Sequence, residues 1–195
     1  MTKLRARRVI RWILVGSLVV LFIVLQTHVG TATFFQRLFL GTGVFKPGTF
    51  IEIDSRTPFD YSLKLHNLHG ISIDLNSHRG SVIFLNFWAT WCPPCRAEMP
   101  DIVRLYNDFN DTDLRFVLVS LDNNVETIES YLKKSGYDVP VYRPHGSIPE
   151  SYGTSTIPVT MVIDRSGRIA FRHEGLAAYN TREFRNALRE ELDTF

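Results

Sequence analysis

The chain has 195 residues, the length of about one domain with a core able to fold unaided, and its 45% apolar and 22% charged content excludes wholesale disorder. Its net charge of +2 hides an asymmetry. Residues 1–11 hold five basic side chains (Lys3, Arg5, Arg7, Arg8, Arg11) and no acidic one, leaving 17 basic against 20 acidic, so no nucleic-acid partner is expected for the folded part. Two cysteines exclude a disulfide-dense scaffold and an all-cysteine zinc site.

In chain order, the basic segment 1–11 is expected in the cytoplasm. Trp12–Leu25 follows with no charge. Flanking residues extend the apolar run to 21 residues, about 31 Å as a helix, close to the hydrocarbon thickness. We read 12–29 as a transmembrane signal-anchor contacting membrane lipid. The small residues Gly30-Thr31-Ala32 leave a cleaved signal peptide as the alternative. Either way positive charge stays inside, so a cytoplasmic (inner) membrane protein is expected, single-pass, with its C-terminal part on the periplasmic side. Residues 30–59 read as a juxtamembrane segment and linker. In it Phe34, Phe35, Leu38 and Phe39 form a stripe suited to the membrane interface or to packing on the domain.

A folded domain is expected over 60–195. Tyr61–His66 and Ile71–Leu75 alternate around Asn67-Leu68-His69-Gly70, a hairpin pattern. Ser81–Trp88 and Leu114–Leu121 are near-continuous apolar runs, as in strands buried on both faces. Between them Met99, Ile102, Val103, Tyr106 and Phe109 recur at helical spacing, with Pro100 expected to kink the helix. Asn123 with Glu126 predicts a capping box for a helix that Gly136 stops. Val139–Tyr142 is a short extended piece. Val159–Ile163 and Arg168–His173 flank the turn Asp164-Arg165-Ser166-Gly167. Asn180 with Glu183 predicts the cap of a last helix. This order implies a layered α/β domain.

Both cysteines lie in Trp91-Cys92-Pro93-Pro94-Cys95, at the join of a buried strand and its helix. Cys92, expected to be exposed at the helix N-terminus, is where amides and the helix dipole stabilise an attacking thiolate. Cys95, one turn inside, is placed to resolve a mixed disulfide. A structural disulfide, a zinc site and a copper carrier are the competing readings. The first would constrain only a four-residue loop, and the second would need scattered histidines that show no ligand spacing. Pro93 and Pro94 have no N–H, so only the Cys95 amide is left to meet the Cys92 sulfur. One lost hydrogen bond to a charged sulfur weakens the thiolate by about 1.5–3 kcal/mol, or about 30–60 mV. That favours a reductase over a dithiol oxidase of DsbA type.

Asn86 through Pro100 (NFWATWCPPCRAEMP), the preceding hairpin and Thr156-Ile157-Pro158-Val159-Thr160 resemble the thioredoxin superfamily, in particular its membrane-anchored TlpA/ResA-like group with the DsbE/CcmG proteins. The resemblance covers about 60–195. It implies a thioredoxin-like fold: a central mixed β-sheet flanked by helices, with an N-terminal β-hairpin extension, preceded by the transmembrane helix. It also implies a cis Ile157–Pro158 peptide and thiol–disulfide exchange by Cys92 and Cys95. Pro158 would face the sulfurs, Ile157 would offer backbone groups to a client, and Trp91 would shape the docking surface. Trp88 reads as a shield of the pair or as plain core. Glu98 sits where the group places a glutamate near the cysteines, and partial burial would suit it to managing the Cys95 proton; a solvated helix glutamate is the alternative. Thioredoxin itself has an aspartate where this chain has Asn86, and an amide cannot take a proton. No cofactor is expected beyond the Cys92–Cys95 disulfide. The implied partners are an exported disulfide-containing client, apocytochrome c or another, and a membrane electron donor of the DsbD/CcdA type. A peroxidase on the same fold, for which Thr90 is misplaced by one residue, and an assembly factor with an inert disulfide are the other readings.

Overall fold

The computed structural model describes residues 12–20, 47–109 and 112–194. Residues 12–20 are helical and exposed. No helix among the described residues is long and apolar enough to cross a membrane. The expected span 12–29 continues outside the described residues, as does the stripe at 34–39.

Seven strands form one mixed sheet: β1 (Lys64–Asn67), β2 (Ser72–Asp74), β3 (Val82–Trp88), β4 (Leu114–Ser120), β5 (Val141–Pro144), β6 (Val159–Ile163) and β7 (Ile169–Glu174), in the spatial order β2-β1-β5-β4-β3-β6-β7. β3, β4 and β5 run parallel, and the remaining pairings are antiparallel. Three helices join them: α1 (Pro93–Phe109), α2 (Val125–Ser135) and α3 (Arg182–Asp193). This is the thioredoxin-like arrangement expected, with the β1–β2 hairpin as its extension.

Alternation in β3 divides the core. Val82, Phe84 and Trp88 face Met99, Ile102 and Leu105 of α1, Ile128 of α2, and Phe184 and Leu188 of α3. Ile83, Leu85 and Phe87 face the opposite side, covered by Phe59, Tyr61, Leu63, Leu65, Leu75 and Tyr152. The helices therefore contribute their core residues to one face, and the arm leading into the hairpin seals the other. β3 is buried along its whole length, which is why its sequence shows no polar alternation.

Several expectations shift. The α2 cap is Asn124, whose Oδ1 accepts the Glu126 amide at 2.7 Å. Asn123 instead gives its carbonyl to the Arg143 guanidinium, 3.0 Å away. The α3 cap is Thr181, accepting from Phe184, while Asn180 accepts from Arg185 at 2.7 Å. Gly136 ends α2 as expected, in the left-handed region at φ 67°.

The largest departure is at 47–58, expected as linker. Phe50 packs against Phe171 and Phe184. The Ile51 amide donates to Ala170, and the Ile169 amide donates to Thr57. Arg56 is buried in ion pairs with Asp164 at 2.9 Å and Glu191 at 2.6 Å. Glycine, threonine and proline in this segment suppress periodicity without preventing an irregular strand from lying along β7.

Candidate active site

The site lies where β3 ends. The Trp88 carbonyl accepts the Leu121 amide at 2.8 Å, which fixes the end of the strand against the segment after β4. The chain turns through Ala89–Trp91, and the Cys92 amide donates back to Ala89 at 3.2 Å. Thr90 is pinned to Asp122: its amide donates to Oδ2 at 2.8 Å and its hydroxyl to Oδ1 at 2.6 Å. The Ser120 hydroxyl adds a third bond to Oδ2 at 2.7 Å. The Thr90 hydroxyl is thus committed to Asp122.

Cys92 takes the capping position of α1. Pro93 and Pro94 occupy the first two helical positions, where an N–H would lack an intrahelical partner anyway. The first free amides are those of Cys95 and Arg96. Cys95 N–H donates to the Cys92 Sγ at 3.3 Å, and Arg96 N–H donates to the Cys92 carbonyl at 3.1 Å. Among the described residues this is the one amide donor to that sulfur, as expected from the two prolines. Cys92 and Cys95 form a disulfide with S–S 2.11 Å.

Cys92 is less open than expected, with 4% of its surface exposed, because the oxidised sulfur packs into the apolar cluster of Trp88 and Ala89. Its Sγ lies 3.8 Å from the Ile157 carbonyl oxygen. The Ile157–Pro158 peptide is cis. Ile157 is half-buried and Pro158 buried, so the carbonyl is brought to the sulfur by the start of β6. Trp91 is 61% exposed beside the disulfide, a large apolar side chain left uncovered at the reactive end. Trp88 is fully buried core.

Glu98 is 0% exposed, more deeply buried than expected. Its Oε1 accepts from Asn86 Nδ2 at 3.0 Å and its Oε2 from the Ala177 amide at 3.4 Å. Burial pushes its carboxyl well above the usual range, against the Asn86 and Ala177 donors that favour the charge; Asp101 adds to the rise. It is i+3 to Cys95 on the inner face of α1, with Cys95 also fully buried.

Thr160 and Tyr179 complete this buried polar group and were missed in the sequence. Thr160 accepts from Asn86 at 2.9 Å. Tyr179 is buried, and burial and the Glu98 charge both raise its phenol. A signal for Thr160 existed: Asn86 and Thr160 are each a lone polar residue in a buried apolar strand, and they are Cα partners in the β3–β6 ladder. Among the described residues, no cluster of three or more His, Cys, Asp or Glu could hold a metal ion.

The family model of AhpC/TSA matches residues 57–172. Thiol-disulfide oxidoreductase ResA of Halalkalibacterium halodurans is 30% identical over 129 residues, 65% of this chain and 73% of that protein. ResA of Bacillus cereus is 29% identical over 128 residues, 65% and 72% of the two chains. Among solved structures, a protein assigned as thiol:disulfide interchange protein DsbE from Chlorobium tepidum is 26% identical, with TM-score 0.56, covering 69% of this chain and 93% of that one. A disulfide between strand end and helix start is consistent with the thiol-disulfide oxidoreductase names of these matches. The chain belongs to the AhpC/TSA family, as a thioredoxin-like thiol-disulfide oxidoreductase of the ResA/DsbE type.

Proposed function

We propose that the protein is a membrane-tethered disulfide reductase of exported proteins, held by a helix over 12–29 in the inner-membrane lipid with its domain on the periplasmic side. The observation that supports the reductive direction is that the Cys92 sulfur meets one amide among the described residues, that of Cys95, since a poorly stabilised thiolate gives up its electrons readily.

In the reduced enzyme the Cys92 thiolate attacks one sulfur of a client disulfide. The client S–S bond breaks, and its second sulfur leaves with the electron pair and takes a proton. The mixed disulfide carries the client against Trp91 and the Ile157 backbone. Cys95 then loses its proton to Glu98 and attacks the Cys92 Sγ. The first client sulfur leaves and is protonated, and the Cys92–Cys95 disulfide remains. Two electrons have passed to the client. No cofactor beyond the cysteine pair enters the cycle. An extracytoplasmic reductase has no cytosolic thiol pool to draw on, so a membrane electron carrier of the DsbD/CcdA type restores the dithiol. The client class is an exported protein with a reducible disulfide, and apocytochrome c fits the resemblance to the DsbE/CcmG group.

The test is trapping. Cys95→Ser is expected to accumulate a client adduct in cells that dithiothreitol releases, and Cys92→Ser none. No adduct with Cys95→Ser, or equal adducts with both, contradicts the proposal.

A further inference from the structure

We propose that Asn86 is the positioning residue of the proton-handling group, an amide whose N–H edge holds Glu98 as a carboxylate and whose oxygen edge, turned over, holds it less strongly as an acid. This rests on the proposal that Glu98 takes the Cys95 proton and adds how the buried site tolerates both outcomes.

Asn86 is 0% exposed in the centre of β3, on the face that looks toward α1. One nitrogen serves two acceptors, Glu98 Oε1 at 3.0 Å and Thr160 Oγ1 at 2.9 Å. Its Oδ1 is buried and has no hydrogen-bond partner among the described residues. A buried, unpartnered amide oxygen is costly, and an apolar residue of like size would avoid it. Its retention calls for a use.

The observed edge suits an ionised Glu98, which needs donors. A protonated Glu98 needs an acceptor for its O–H. Rotating the amide by half a turn brings Oδ1 to the same place, where it accepts from the Glu98 acid and from the Thr160 hydroxyl, which donates as readily as it accepts. Two hydrogen bonds are made in either state. An aspartate here would bring a second carboxylate against the first, and a leucine would serve neither state. Of the two groups that hydrogen-bond the Glu98 carboxyl among the described residues, Asn86 and the Ala177 amide, only Asn86 can adapt. The Ala177 amide only donates and so favours the charge. Asp101 of α1 and burial oppose it, and the Tyr179 phenol from the segment before α3 shares the pocket. Asn86 and Thr160 thus form the adjustable part. Thr160 lies two residues after Pro158, so the same bond ties the Glu98 site to the strand that brings the Ile157 carbonyl to Cys92.

The experiment follows the Glu98 side-chain carboxyl carbon by NMR in the full-length protein in detergent micelles, disulfide intact, with the resonance assigned by its loss in Glu98→Gln. Asn86→Leu is expected to raise the titration midpoint by about one pH unit, because the charge-assisted bond it removes from the carboxylate is worth more than the neutral bond it removes from the acid. Thr160→Val, which frees the amide to turn, is expected to raise it by less, and it decides the matter if Asn86→Leu does not fold. The pH at which the reduction potential changes slope should move with the midpoint. Midpoints equal to wild type in the folded variants, with only the melting temperature lowered, overturn the proposal. Because the titration involves no client, its failure is distinct from a failure of adduct trapping.

Discussion

At the scale of single residues, the site depends on which groups reach the Cys92 sulfur and which hold the loop before it. Cys95 supplies the only amide from within the motif, because the two residues between the cysteines are prolines. Asp122 does the holding. It is buried and gathers the Thr90 amide, the Thr90 hydroxyl and the Ser120 hydroxyl. Asp122→Ala strands these donors and is expected to cost about 1–3 kcal/mol of stability in a urea titration. A loss below about 0.5 kcal/mol would show that the loop is held by other contacts. The cysteines were legible from their own short motif, and the cis proline and Glu98 through the family resemblance that the motif carries. The depth of Glu98 was not, because the groups that enclose it, Asn86, Thr160, Ala177 and Tyr179, come from three distant stretches of chain. Only folding brings them together.

At the scale of elements, the clearest difference between pattern and structure is the segment 47–58. Its fastening is an ion-pair cluster with almost no solvent around it: the side chains of Arg56 and Asp164 are 5% and 3% exposed. Arg56 also donates to the Ile51 carbonyl at 2.9 Å, closing its own segment onto the turn after β6 and onto α3. Arg56→Ala leaves two carboxylates buried without their cation and is expected to destabilise the domain by about 3–5 kcal/mol in chemical denaturation. Within this cluster burial opposes ionisation of Asp164. The Ser166 hydroxyl, the Arg168 amide and Arg56 outweigh it and hold the carboxyl below 3.8. A lowered carboxylate contributes stability that is complete above its unfolded value and lost as the pH falls through its folded value. The Asp164 contribution to stability should therefore be lost on the acid side of the ordinary carboxylate range, and Asp164→Asn should flatten that acid limb of the stability–pH curve. The two helix caps moved by one residue because Asn123 and Asn124, and Asn180 and Thr181, both satisfy the local pattern, and an arginine takes the residue that does not cap: Arg143 of β5 bonds the Asn123 carbonyl and Arg185 of α3 bonds Asn180 Oδ1.

At the scale of the whole molecule, the topology places the reactive motif at the C-terminal end of β3, between its parallel neighbour β4 and the antiparallel β6. β4 brings Asp122 and β6 brings Pro158 to that one end. The strands were legible from their unbroken apolar runs, and the order of elements gave the α/β class. Sequence periodicity did not reveal that the core residues of all three helices join one cluster while the arm at 59–75 seals the other face, because it reports a buried side without naming what covers it. This architecture serves exchange in either direction, and the proposed reductive direction rests on the amide at the Cys92 sulfur. The reduction potential of the Cys92–Cys95 couple, equilibrated against glutathione at pH 7, tests the reductase proposal most directly. A value well below that of a strong oxidase, toward the thioredoxin range near about −270 mV, is expected; a value close to about −120 mV would contradict it.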